Sequence, residues 1–167
     1  MMKTLLLMRH AKSSWDMPAQ PDFERPLNER GQKAAPLMGR FLRRQSLQPD
    51  LVISSPAERA RQTAALALAA AEFTCETRYD ARIYEASAAR LLEVCREIEE
   101  QISTALLVGH NPGMEEFIHL LTGARERMPT AAIACVAFDL NKWSNIEPEM
   151  GRLAWLVKPK ELAGKIA

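Results

Sequence analysis

The sequence predicts an α/β fold, a three-layer α/β/α sandwich whose central sheet is mostly parallel. Three observations carry that expectation. Short apolar runs alternate with longer amphipathic stretches along the chain, the signature of strands and helices winding one sheet between two helical layers. The short runs are continuously apolar rather than alternating, as in strands covered on both faces. Strand follows helix in short succession, which implies right-handed crossovers between parallel strands.

Thr4 to Met8 (TLLLM) opens the chain as a buried strand. Glu29 to Arg44 is helical in composition, but Pro36 lies inside it. That predicts a kink, or a loose first turn with the regular helix starting near Pro36. Leu51 to Ser54 (LVIS) is the next strand. Ser55-Pro56-Ala57-Glu58 then reads as a capping box with proline at the first helical position, opening a helix to about Ala71. Thr74 to Arg78 is a weaker strand. Leu91, Leu92, Cys95, Ile98 and Ile102 share one helical face, with Glu93, Glu97 and Glu100 spread over the other. Ala105 to Val108 follows as a strand. Asn111-Pro112 reads as an N-cap followed by proline, and Met114, Phe117, Ile118 and Leu121 line one side of a helix up to Gly123. Ile133 to Leu140 and Leu153 to Val157 complete the set of strands.

At 167 residues the chain suits a single domain spanning 1–167, long enough to build a core without metal or disulfide. Its 22 basic and 21 acidic side chains leave a net charge of +1. That excludes a general polyanion binder, so neither nucleic acid nor a membrane is an expected partner, while a local cationic pocket stays open. The three cysteines, Cys75, Cys95 and Cys135, lack CxxC spacing and do not form a disulfide framework, which favours a reducing compartment. The apolar run after Lys3 is too short for a secretory signal, and Ala64 to Ala71 is far below the ~20 residues of a membrane span. A cytoplasmic location is expected.

Ligands of open α/β sheets bind beyond the carboxyl ends of the strands. The first strand ends in Arg9-His10, the second runs into a helix carrying Arg59, and Ala105 to Val108 ends in Gly109-His110. Two histidines and two arginines thus reach one edge of the sheet from separate regions. Guanidinium groups match phosphate oxygens bidentately, and exposed N–H groups at helix starts favour anions. A neutral imidazole is a competent nucleophile toward phosphorus and gives a phosphohistidine intermediate. The second histidine and the arginines can hold the charge on the transferring group, so that no metal or other cofactor is required. Competing motifs are missing: there is no GxxxxGK[ST], GxSxG or HExxH, and Cys75 and Arg82 lie one residue too far apart for the cysteine phosphatase signature.

Arg9-His10-Ala11-Lys12-Ser13, the run from Ser54 to Ala64, and Val108-Gly109-His110-Asn111-Pro112-Gly113 resemble the histidine phosphatase superfamily, which includes the cofactor-dependent phosphoglycerate mutases. The short length and the Arg-His-Ala-Lys-Ser-Ser-Trp start are most similar to its compact SixA-type phosphohistidine phosphatase branch. The resemblance implies a phosphoglycerate mutase-like fold. It makes His10 the phosphorylated nucleophile, with Arg9, Arg59 and His110 completing the phosphate pocket. It also implies a carboxylic acid that protonates the leaving group, for which Glu85 is the best match. Asp22 and Arg25 resemble a segment of the compact branch that borders the pocket. Lys12 stands where mutase-like members carry Glu or Gln, and Asp16 where they often have Asn; with no room for the mutases' long insertions, this argues against a mutase. The resemblance therefore implies hydrolysis of phosphohistidine on a protein, such as a histidine phosphotransfer domain. Small phosphomonoesters, or phosphate binding without turnover, are the alternatives.

Each residue also has a plainer reading. His10 alone is a structural histidine at a strand end, Arg59 a solvated helix residue paired with Glu58 or Asp50, and His110 a helix cap. The coincidence of three motifs favours the site. Glu85 reads equally as a surface carboxylate, and Lys12, Asp22 and Arg25 as polar loop residues. Trp15, in a polar loop, is a candidate contact for a macromolecular substrate.

Overall fold

Successive residues of the first strand, β1 (Met2–Arg9), point to opposite sides of the sheet: Leu5 and Leu7 enter one core, Leu6 and Met8 the other. All four are fully buried, each worth roughly 1.5–3 kcal/mol of transfer free energy. This is why the strand reads as continuously apolar. The computed structural model describes residues 2–163. Among these, β1 is joined by β2 (Leu51–Ser54), β3 (Glu76–Tyr79), β4 (Thr104–Gly109), β5 (Ile133–Asp139) and β6 (Arg152–Val157). The sheet order is β3-β2-β4-β1-β5-β6. The pairs β1–β4, β2–β4 and β2–β3 are parallel, and β5 is antiparallel to both its neighbours. The sheet is thus mostly parallel and the α/β sandwich is as expected.

Helices α1 (Glu29–Arg44) and α2 (Glu58–Ala71) cover the Leu6/Met8 face, and α3 (Ala88–Arg96) and α4 (Gly113–Thr122) the other. A short α5 (Pro159–Leu162) follows β6. Contact between α1 and α2 is close enough that a Cβ on Gly39 would lie 2.0 Å from the Ala67 carbonyl oxygen. No helix among the described residues is long and apolar enough to cross a membrane.

Several element boundaries differ from expectation. α1 runs unbroken from the Asn28 cap, whose side chain accepts from Gly31 N, through Pro36. Burial of Ala35 and Met38 on either side of the proline holds that stretch helical. α2 starts at Glu58, with Ala57 rather than Ser55 at its N-cap. α3 stops at Arg96, short of Ile98 and Ile102. The carbonyls beyond it serve other donors: the buried Lys3 ammonium bonds those of Glu100 and Ile102, and Trp143 Nε1 donates to Ile102 at 2.7 Å. α4 is capped by Pro112, not Asn111, after a cis Asn111-Pro112 bond.

Candidate active site

The register of β1 against β4 pairs Arg9 with Gly109. His10 N–H continues the ladder by donating to the Gly109 carbonyl at 3.0 Å. The next residue on each strand is a histidine, so the two rings meet, with centroids 5.1 Å apart and planes at 52°. On the far side of β4, Ser55 N–H donates to the Val108 carbonyl at 3.0 Å, which sets the Ser55 hydroxyl 2.8 Å from His110 Nε2. Thr63, one turn past Arg59 on α2, receives Ala11 N–H at 2.9 Å and donates to the Arg59 carbonyl at 2.6 Å. That hydroxyl locks α2 to the loop behind His10.

Hydrogen bonding fixes the proton on His10 and gives His110 a hydroxyl partner. His10 Nδ1 lies 2.8 Å from the Ala11 carbonyl oxygen, which only accepts, so Nδ1 carries the proton and the Nε2 lone pair is free. The Ser55 hydroxyl already accepts Ala57 N–H at 3.2 Å, and its own proton is available to His110 Nε2. His110 Nδ1 then bears hydrogen. Burial is the main cause pushing His10 down to about 4, opposed by the Ala11 bond and reinforced by Arg59, Arg9 and Arg25. Burial, then His10 and Arg59, push His110 to about 3. Both rings are neutral at pH 7.

Three arginines reach the same place. Arg59, 5% exposed, donates to the Asp22 carbonyl at 2.7 Å and to Asp22 Oδ2 at 3.0 Å. Arg25 donates to Asp22 Oδ1 at 3.1 Å and Ser13 Oγ at 2.9 Å, and lies 3.5 Å over the ring of exposed Trp15. Arg9 donates to the Met128 carbonyl at 3.1 Å, and burial lowers its pKa. Burial works to raise the Asp22 carboxyl, but bonds from Tyr84, Arg59 and Arg25 overcome it and hold the group at about 2. Asp22 is therefore an anion that orients arginines. Among the described residues, Arg9 Nε, Arg59 Nε and His110 Nδ1 are buried donors without a hydrogen-bond partner. Such groups are costly to leave unmatched.

All eight sequence-predicted residues, Arg9, His10, Lys12, Asp22, Arg25, Arg59, Glu85 and His110, line one cavity of about 350 Å³. Lys12 and Glu85 are exposed at its edge. Glu85 has left-handed backbone, φ 54°, a conformation that a non-glycine residue adopts at a cost and often at functional positions. The loop carrying it packs on the start of α4, where a Cβ on Gly113 would meet the Ala86 carbonyl oxygen at 2.2 Å. His119 lies apart, its Nδ1 donating to the Gly123 carbonyl at the end of α4. No group of three or more His, Cys, Asp or Glu among the described residues is placed to hold a metal ion.

Sequence reasoning misses Ser13, Ser55, Asn111, Thr130 and Tyr84. Ser55 reads as a helix cap, yet the rule that locates His10 also covers it, since it immediately follows β2. Asn111, also read as a cap, lines the cavity and donates to Glu115 Oε2 and the Met128 carbonyl, both at 3.0 Å. Thr130 lines it from the loop before β5. Tyr84 donates to Asp22 Oδ2 at 2.6 Å and sits edge-on to His110 at 5.5 Å. Nothing local marks Thr130 or Tyr84.

A model of the histidine phosphatase superfamily (branch 1) matches residues 5–91. An uncharacterized protein of Mycobacterium tuberculosis is 31% identical over 164 residues, covering 92% of this chain and all of the relative. An uncharacterized chloroplastic protein of Arabidopsis thaliana is 29% identical, covering 92% of this chain and 74% of the relative. Among solved structures, one from Nakamurella multipartitia, provisionally named phosphohistidine phosphatase SixA, superposes with a TM-score of 0.83 at 26% identity, covering 95% of this chain and 97% of that one. Another with the same provisional name, from Agrobacterium tumefaciens, gives 0.82 at 27%, covering 94% and 98%.

Proposed function

The chain belongs to the histidine phosphatase superfamily, and from that premise we propose that it hydrolyses phosphohistidine carried on a protein, through a phosphorylated His10. One observation carries the reading: His10, whose Nε2 is unprotonated, lines a small cavity together with Arg9, Arg25, Arg59 and His110. The provisional name of the two solved relatives supports the substrate class.

In the first step the Nε2 lone pair attacks phosphorus, and the bond from phosphorus to the substrate imidazole breaks. The electron pair goes to that imidazole, which takes a proton from Glu85 or from solvent. Arg9, Arg59 and the His110 Nδ1–H hold the phosphoryl oxygens while their charge shifts. In the second step water attacks the phosphorus of phospho-His10, the bond from phosphorus to Nε2 breaks, and the proton from water returns to whichever of Glu85 or solvent gave one in the first step. Low pKa values suit this cycle, because a neutral His10 is nucleophilic throughout the physiological range. An imidazole leaves more readily than an alkoxide once protonated, so a phosphohistidine substrate depends less on Glu85.

The test is phosphate release from a phosphohistidine-bearing protein domain beside a panel of small phosphomonoesters, with His10→Ala as control. Faster turnover of phosphohistidine, lost in the variant, is the expected result. Turnover of small esters alone overturns the substrate class. Phosphate binding without turnover overturns the enzyme reading.

A further inference from the structure

Beside the catalytic cavity lies a larger one of about 710 Å³. The two share Arg9, Asn111 and Thr130 in their walls, so one substrate can reach into both. The larger wall carries five cations, Arg9, Arg30, Arg127, Lys158 and Lys160, and a single carboxylate, Glu115. That carboxylate is already engaged, accepting from Asn111 Nδ2 at 3.0 Å and Met128 N–H at 2.8 Å. Arg30, Arg127, Lys158 and Lys160 form no ion pair among the described residues. They come from α1, from the loop after α4 and from the segment after β6, three stretches far apart in sequence. In a chain of net charge +1, this is a local excess that the fold assembles. Concave walls concentrate such a field and favour an anion inside it.

We propose that this cavity is a second anion subsite, holding a carboxylate or phosphate carried by the same substrate whose phosphoryl group enters the catalytic cavity. The inference rests on the phosphoryl-transfer reading of that neighbouring cavity. It deepens that reading by naming the substrate class: molecules with a second anionic group next to the phosphoryl, either acidic residues flanking a phosphohistidine or a second anionic group on a small ester.

Arg127 and Lys160 are exposed and outside the proposed chemistry, so the charge-neutral Arg127→Gln, Lys160→Gln double variant is the probe. Turnover of p-nitrophenyl phosphate, which has one anionic group, is expected to be unchanged and reports intact folding. Two matched pairs then carry the test: phosphohistidine peptides with aspartate or alanine flanks, and small phosphate esters with or without a second phosphate. For the doubly anionic member of at least one pair, kcat/KM is expected to fall about tenfold or more. The pair that responds identifies the source of the second anion. An equal effect on both members of both pairs overturns the subsite. If esters turn over and neither peptide does, the phosphohistidine reading fails while the ester pair still decides the subsite. If no substrate turns over, calorimetry with inorganic tripolyphosphate decides it: weaker binding by the double variant supports the subsite, and equal binding overturns it.

Discussion

Two clusters of arginine lie on this sheet and are used in opposite ways. At the β3 edge, Arg78 donates to Glu76 at 2.7 Å and Glu99 at 3.0 Å, while Arg82 bonds Asp80 at 2.7 Å and Glu97 at 2.6 Å. Hydrogen bonds to these carboxylates raise both arginine pKa values. At the carboxyl ends of β1 and β4, burial instead lowers Arg9, and Arg25 and Arg59 share the one Asp22 carboxylate. Buried donors there stay unmatched. The contrast lies in burial and stoichiometry rather than residue type. Where each guanidinium meets two carboxylates in water, charge is cancelled and little energy is at stake. Where positive groups outnumber carboxylates behind a low-dielectric wall, the protein keeps a standing demand for an anion.

The largest test of the contrast is His10→Ala. Phosphate release should fall by about 10³-fold or more, since the other imidazole of the cavity, His110, has its Nε2 engaged with Ser55. Retained turnover in a colorimetric phosphate assay would break the assignment of the chemistry to this cavity. Next comes Arg59→Ala, expected to lower kcat/KM by about 10²–10³-fold. Arg59→Lys should not restore it, because two guanidinium nitrogens reach two different Asp22 oxygens and one ammonium cannot reproduce that fork.

Much of this site is legible in the sequence because its parts follow strand ends. Arg9-His10 and Gly109-His110 are positioned by backbone register alone, and an apolar run followed by charged or polar residues is visible without a structure. Ser55 was hidden by ambiguity: a serine followed by proline and then glutamate reads as a helix cap, and only tertiary contact with His110 reveals its use. Tyr84 and Thr130 are brought in by long-range packing that has no local pattern. The same limit applies to the helices. The late helix start that Pro36 suggests gives way to a helix beginning at Glu29, and the Ile98 and Ile102 periodicity continues past the point where carbonyls are drawn to Lys3 and Trp143.

Acid should weaken the buried cluster in two stages. Unfolded histidine titrates near 6.5, whereas native His10 and His110 do so at about 4 and about 3. Between those values the unfolded chain binds more protons, so stability is present at pH 7 and is lost as pH falls from 6.5 toward 4, by about 3 kcal/mol for His10. Asp22, depressed from 3.8 to about 2, loses its contribution only below that window. Urea midpoints at pH 7, 5.5 and 4.5 should fall steadily, and less steeply in His10→Ala. Activity should show an acid limb near pH 4 as His10 protonates. Glu85→Gln gives a smaller effect: about 10-fold to 10²-fold on a phosphomonoester and less on phosphohistidine. Equal losses on both substrates would remove Glu85 from any role that depends on the leaving group.

The smallest expected effect sharpens the comparison most. Arg82→Ala deletes a guanidinium with more hydrogen bonds to carboxylates than Arg59 makes. If bond count set importance, this substitution would be the costlier of the two. Its side chain and that of Glu97 are 35% and 60% exposed, however. Water therefore replaces each lost bond, and the change in unfolding free energy should stay within about 1 kcal/mol with catalysis unaltered. A thermal melt and a phosphate-release assay on Arg82→Ala and Arg59→Ala, run side by side, separate the two accounts. A large loss in the first variant would mean that the β3-edge network supports the cavity through the loop joining Arg82 to Tyr84, and the two clusters would then be one machine rather than two.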